Sequence, residues 1–235
     1  MGKTVLLNNI DHKDLRIDTR RGVGLGDGVM SAPTFPGEFR NLQAHYPIVF
    51  RKLADGSFQP NALFGFQEGH NLFLQGECWD ATYLPLAIER LPFLIGIADG
   101  EAMVHVDLDS PRAGAETGEA VFREHGGTTD FMERMNSVLL TLHEGLQATP
   151  AFMSALLQHE LVESFVLDIT LDDGSQNRFA GFYTINEDRL NALDGNAFQQ
   201  LFNAGFLEPI YMAIASLSNF RALIERMNQA RVANA

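Results

Sequence analysis

The chain has 235 residues, a formal net charge of −13 and 46% hydrophobic residues, with a single cysteine. The acidic balance repels phosphate backbones and anionic bilayers, and no Lys/Arg cluster offsets it, so nucleic-acid binding and membrane-surface binding are excluded as primary roles. One cysteine excludes an internal disulfide framework, no apolar run approaches the ~20 residues of a membrane span, and the apolar fraction suffices for a sizeable core.

The opening MGKTVLLNNIDHKD holds only the run VLL before charged residues, too short for a signal-peptide core. Leu6 stands where a myristoylation signal carries Ser or Thr. The expected compartment is the cytoplasm. Residues 1–36 read as an irregular N-terminal segment. Leu15 and Ile17 suggest one short strand, and the Gly- and Pro-rich run from Arg21 to Gly37 reads as a draped loop. Its glycines follow no convincing strand and lead into no helix, so it is no dinucleotide loop.

Glu38 to His45 predicts a helical turn with Phe39, Leu42 and Tyr46 inward. YPIVFRK, the turn ADGS at 54–57 and FQPNALFGF predict a hairpin over 46–66. HNLFLQ predicts a further strand. Trp79 to Leu91 predicts a short helix with Pro85 in its first turn, Asp80 as its cap and Pro92 as its end. FLIGIA and AMVHVDLD predict two strands around the turn dipeptide Asp99-Gly100. A meander of four or five antiparallel strands is the simplest outcome.

Asp130 with Glu133 forms a capping-box-like pair, and Phe131, Met135, Val138, Leu139, Leu142 and Leu146 follow helical spacing. Thr149-Pro150 predicts a restart, giving two helices that bend against each other. SFVLDITL, DDGS and NRFAGFYTI predict a second hairpin, the strongest such signal in the chain. Asn186 and Asp194 predict helix caps, and Gly205 a helix end. One long helix is expected from Pro209 to about Asn228, with Ile210, Ile214, Leu217, Phe220, Leu223, Ile224 and Met227 on a core-facing stripe. No repeat or linker divides the remainder. The expected class is α+β: a single domain over 37–230, with an antiparallel meander and a C-terminal hairpin packed with helices.

Taken together, these segments resemble the SapC family of bacterial proteins. The resemblance is carried by Glu38, YPIVF at 46–50, ALFGF at 62–66, Gly69, NLFL at 71–74, WDATYLPL at 79–86 and LPFLIG at 91–96. It continues through VDLDSPR at 106–112, GEAVF at 118–122, GFYTINEDRL at 181–190 and AGFLEPIYMAIASL at 204–217. The family pattern often has Glu or another polar residue where this chain has His70, and a small or apolar residue where it has His105. The family takes its name from bacterial surface layers. Many relatives are encoded beside TonB-dependent receptors, flavin-dependent tryptophan-halogenase-like proteins and cupin-like oxygenases. The resemblance therefore implies an accessory role in uptake or metabolite modification, and it supplies no catalytic residues and no cofactor.

Three constellations carry chemistry-bearing side chains. Tyr46, Asn71, Trp79, Asp80, Tyr83, Glu89 and Arg90 combine aromatics with polar handles, as pockets for a small molecule or a peptide do; the alternative is core and capping work. His105, Asp107 and Asp109 alternate along one strand, so an imidazole and two carboxylates would share a face and offer a divalent metal three ligands. The plainer reading is a solvated face, with the two aspartates beside the SPR turn and paired with Arg112. Glu68, His70 and Cys78 cluster around one hairpin, but one cysteine falls short of a structural zinc set. No GxSxG, HExxH, P-loop or CxxC pattern occurs. The expected role is an accessory protein that binds a small molecule, a peptide or a protein partner, with homo-oligomerisation open. The alternatives are a metal-dependent enzyme using His105, Asp107 and Asp109, and a surface-layer-related assembly protein.

Overall fold

The computed structural model describes residues 3–98 and 101–233; the Asp99-Gly100 turn lies outside them. In chain order the strands are β1 (Thr4–Leu6), β2 (Arg16–Ile17), β3 (Ser31–Pro33), β4 (Ile48–Lys52), β5 (Phe58–Leu63), β6 (Leu74–Gln75), β7 (Cys78–Trp79), β8 (Phe93–Ala98), β9 (Glu101–Asp107), β10 (Glu119–Ala120), β11 (Val162–Thr170) and β12 (Gln176–Ile185). The helices are α1 (Phe39–Leu42), α2 (Leu86–Glu89), α3 (Asp130–Gln158), α4 (Glu187–Asn191), α5 (Gly195–Asn203), α6 (Leu207–Ser216) and α7 (Asn219–Ala233). Helices combine with sheets whose strands all pair antiparallel, which makes the chain an α+β protein. The N-terminal segment, expected to be irregular, contributes the short strands β1, β2 and β3.

The contacts divide the chain into two compact units, each assembled from two stretches: residues up to 28 with 74–144, and 29–73 with 145–235. These joints differ from the division at 36/37 expected from composition. They also distribute the antiparallel strands of 46–109 over separate sheets. The β4–β5 hairpin belongs to the second unit, whereas the β6–β7 and β8–β9 hairpins belong to the first. Local alternation specifies a hairpin, but it carries no information about which further edge the hairpin joins.

In the first unit a three-stranded sheet has the order β1-β9-β8, with Val5 opposite Val106 and Phe93 opposite Val106 on the other side. Its inner face buries Phe93 and Val106 against Ile17, Val121, Met132, Met135, Val138 and Leu139, with Val5, Ile95 and Val104 packed on the cluster. The β2–β10 pair sets Ile17 opposite Glu119. The first half of α3 therefore supplies half of this core, through the helical spacing read from the sequence.

In the second unit a five-stranded sheet has the order β11-β12-β4-β5-β3. The long hairpin β11–β12 steps from Phe165 opposite Phe182 to Leu167 opposite Phe179. That step leaves one extra residue on β12, and Gly181 accommodates it at φ 91°, a backbone region that favours glycine. Phe39, Leu42, Tyr46, Phe50, Phe64, Phe152, Leu156, Leu161 and Ile210 are fully buried in this unit.

Two helix expectations are corrected. The pair of bent helices is one continuous helix, α3, running through Pro150. Thr149 Oγ1 donates to Gly145 O at 2.9 Å beside the proline, and burial of Phe152, Met153 and Leu156 holds the last turns in place. The single C-terminal helix is instead divided into α6 and α7 around Leu217 and Ser218. The buried Ser216 hydroxyl donates to Ala213 O at 2.6 Å and accepts from Ile48 N at 2.9 Å, fixing the end of α6 to β4.

Candidate functional site

Of the seven residues expected to line a pocket, Tyr46 and Asn71 belong to the second unit, and Trp79, Asp80, Tyr83, Glu89 and Arg90 to the first. Tyr46 is fully buried, its ring centroid 4.7 Å from that of Phe73 and 5.4 Å from that of Phe64. Asn71 Oδ1 accepts from Phe73 N at 2.9 Å, a local turn bond. Trp79 ends the two-residue strand β7 and is half-buried, as is Tyr83. Asp80 is exposed and accepts from Gln75 Nε2 at 2.9 Å. It does not cap α2, because 80–85 is irregular and the helix is one turn long, beginning after Pro85.

Glu89 and Arg90 both work for the fold. Arg134 Nε donates to Glu89 Oε1 at 2.7 Å, and this bond raises the Arg134 pKa. Arg90 Nη1 donates to Phe93 O at 2.6 Å, and burial lowers the Arg90 pKa from its ordinary value. An arginine nonetheless remains a cation here, as arginines do in proteins.

Among the described residues no group of three or more His, Cys, Asp or Glu side chains is arranged to hold a metal ion. His105 lies on β9, where its Nδ1 sits 3.1 Å from Met103 O. Its ring covers Gly96 of the adjacent strand, where a β-carbon would fall 2.6 Å from the imidazole. Asp107 ends β9 and accepts from Asp109 N at 3.1 Å. Asp109 lies beyond the strand and accepts from Lys3 N at 2.8 Å. Glu68, His70 and Cys78 are each exposed, the first two in the second unit and Cys78 in the first.

Arg112 does not pair with Asp107 or Asp109. It crosses to the glycine-rich loop. Its guanidinium is 1% exposed, and Nη2 donates at 2.6 Å to Oδ2 of Asp27, which is 0% exposed. Arg112 Nη1 donates to Asp18 O at 2.9 Å and to Arg20 O at 2.7 Å. Gly22 N donates to the same Asp27 oxygen at 2.9 Å, and Arg21 Nη1 lies 3.5 Å from Asp27 Oδ1. Burial, and then repulsion from Arg112, lower the Arg21 pKa. Arg20 clasps Asp18 through Nε and Nη2, and this hydrogen bonding holds the Asp18 carboxyl below its ordinary pKa. The loop expected to be draped is thus tied down by one buried arginine and its carboxylate. Sequence reading missed this lock because Asp27 and Arg112 are far apart in the chain, and an aspartate among glycines reads as turn chemistry.

A second feature had no signal in the sequence reading. Phe198 and Phe202 of α5 remain 41% and 63% exposed, and Tyr211 of α6 is 49% exposed. Only Leu201 of α5 is buried.

The fold and these sites define an α+β protein with an arginine-locked loop and an aromatic helix face. The SapC family profile matches residues 7–223, and the chain belongs to the SapC family. No curated protein and no solved structure matches the chain.

Proposed function

We propose that this SapC-family chain is an accessory protein that acts by docking a protein or peptide partner, in the setting of a bacterial uptake or metabolite-modification system. The observation that carries this reading is the outward face of α5. Phe198 and Phe202 are about one helical turn apart, the first partly and the second largely exposed. Large aromatics exposed together on a helix are unfavourable in water and are the usual anchors of helix-mediated recognition. The neighbouring Gln199, Gln200 and Asn203 are polar and uncharged, so apolar fit rather than ion pairing would select the partner. Binding rather than reaction also suits the charged groups of the first unit, where Glu89, Arg90 and Arg112 are engaged in internal bonds.

The test is a Phe198→Ser/Phe202→Ser double variant used as bait beside the wild type in extract of the native bacterium. Exposed sites of this kind change folding stability by roughly 0.5 kcal/mol or less. The variant is expected to keep its unfolding midpoint and to lose the partner that the wild type retains. Equal recovery of the same partner by both baits removes the α5 face from the reading.

A small-molecule role for the 79–90 segment is a second reading, favoured by the half-buried Trp79 and Tyr83 on either side of the exposed Asp80. Amino acids, indoles and short peptides are expected to raise the melting temperature of the wild type more than that of Trp79→Ala. Equal shifts in the two proteins count against it.

A further inference from the structure

β11 forms the outer edge of the five-stranded sheet. It is nine residues long, pairs with β12 on one side and meets no described strand on the other. Glu163, Ser164, Val166, Asp168 and Thr170 are exposed, Val166 at 45%. A long edge strand presents a row of backbone donors and acceptors to any other strand. Proteins guard such edges with charged side chains, lysine above all, with proline or with a bulge on the edge strand. β11 contains no proline, lysine or arginine, its charged residues are Glu163 and Asp168 alone, and the extra residue of the bulge lies on β12.

We propose that β11 pairs antiparallel with β11 of a second copy, joining two five-stranded sheets into one continuous sheet. The sequence of the strand favours its own copy. Full overlap of Val162–Thr170 places the two-fold axis at Val166. Val166 then faces its own counterpart, Phe165 faces Leu167, Ser164 faces Asp168 and Glu163 faces Ile169. Neither carboxylate meets another, and Asp168 meets a hydroxyl. Phe165, Leu167 and Ile169 of both copies stay on the same face of the sheet, because directly opposed residues share a face. A slip of one residue would set Glu163 against Asp168 and turn the two apolar faces to opposite sides.

Each copy carries a net charge of −13, so long-range repulsion opposes the pairing and salt relieves it. The dimer fraction therefore rises with ionic strength, the reverse of an interface held by ion pairs.

The experiment is light scattering on the full chain across protein and salt concentrations, with Val166→Lys and Val166→Asp. Val166 is on the surface, so both variants are expected to fold, with circular dichroism as the check. Each variant sets two like-charged side chains directly opposite each other, their Cβ atoms about 5 Å apart across the axis, and is expected to be monomeric. An equimolar mixture of the two sets opposite charges together and is expected to recover the dimer. The Phe198→Ser/Phe202→Ser variant is expected to dimerise as the wild type does, which separates this edge from the α5 face. A wild type that stays monomeric at every salt concentration, whatever other chain the edge accepts, overturns the proposal. So does a Val166→Lys variant that dimerises like the wild type, or a mixture that stays monomeric.

Discussion

Asp27→Ala is expected to destabilise the protein by about 3–5 kcal/mol, the cost of leaving a buried charge without its partner. Arg112 would keep its bonds to Asp18 O and Arg20 O, but its Nη2 would face the space left by the carboxylate with no solvent to replace it. Arg112→Met removes the cation instead, leaving the Asp27 carboxylate with Gly22 N and the more distant Arg21. Its cost is expected in the same range, since two backbone carbonyls also lose their donor. The Asp27→Leu/Arg112→Met double variant is expected to be less destabilised than the sum of the single changes, because it removes both charges from the interior. Urea unfolding checks this through the midpoint at unchanged slope. A cost below about 1 kcal/mol for Asp27→Ala would mean that water reaches the pair, and strictly additive single changes would mean that the two residues do not act together.

Gly145→Ala tests the second unit. In an exposed helix interior this change stabilises by about 1 kcal/mol, because alanine is the better helix former. Here the expected sign is reversed. A β-carbon at 145 would lie 2.5 Å from Phe35 Cε2, and closer still to Cγ and Cδ2 of the same ring. Phe35 is itself buried, at 5% exposure, so the ring has little room to yield. Overpacking of this kind costs about 1–3 kcal/mol, and after the alanine gain the expected net loss is about 1 kcal/mol. For a chain of this size that is a fall in melting temperature of roughly 2–4 °C. In a Phe35→Leu background the clash is smaller, and Gly145→Ala is expected to lose most of its effect. A rise in melting temperature for Gly145→Ala in the wild-type background would show that the ring moves aside freely.

Much of the local structure was legible. Asn186 and Asp194 cap α4 and α5 as their side-chain chemistry requires, accepting from Arg189 N and Ala197 N at 2.8 Å each. The alternation of Phe165, Leu167 and Ile169 gave β11, with Ile169 buried. The spacing of Met135, Val138 and Leu139 gave the buried face of α3. The candidate sites were less legible. Of the aromatic and polar residues grouped as one candidate set, Tyr46 belongs to the second unit and Trp79 to the first, a division that no local pattern encodes. The alternation of His105, Asp107 and Asp109 was extended past the point where β9 ends, at Asp107. Phe198 and Phe202 carried no signal, because exposure is a property of what a helix packs against and not of its own period.

The sequence by itself determined the α+β class, the hairpins, the caps of α4 and α5, and the family. Each of these follows from side chains within a few residues of one another, or from their order along the chain. Only the tertiary structure decided that α3 passes through Pro150, that the hairpins of 46–109 enter different sheets, and that Arg112 closes on Asp27. Those outcomes rest on contacts between distant segments, where burial of one partner sets the free energy of the other. The helix persists because both of its ends are buried in cores, and the arginine is tolerated inside because the carboxylate and two carbonyls meet it there.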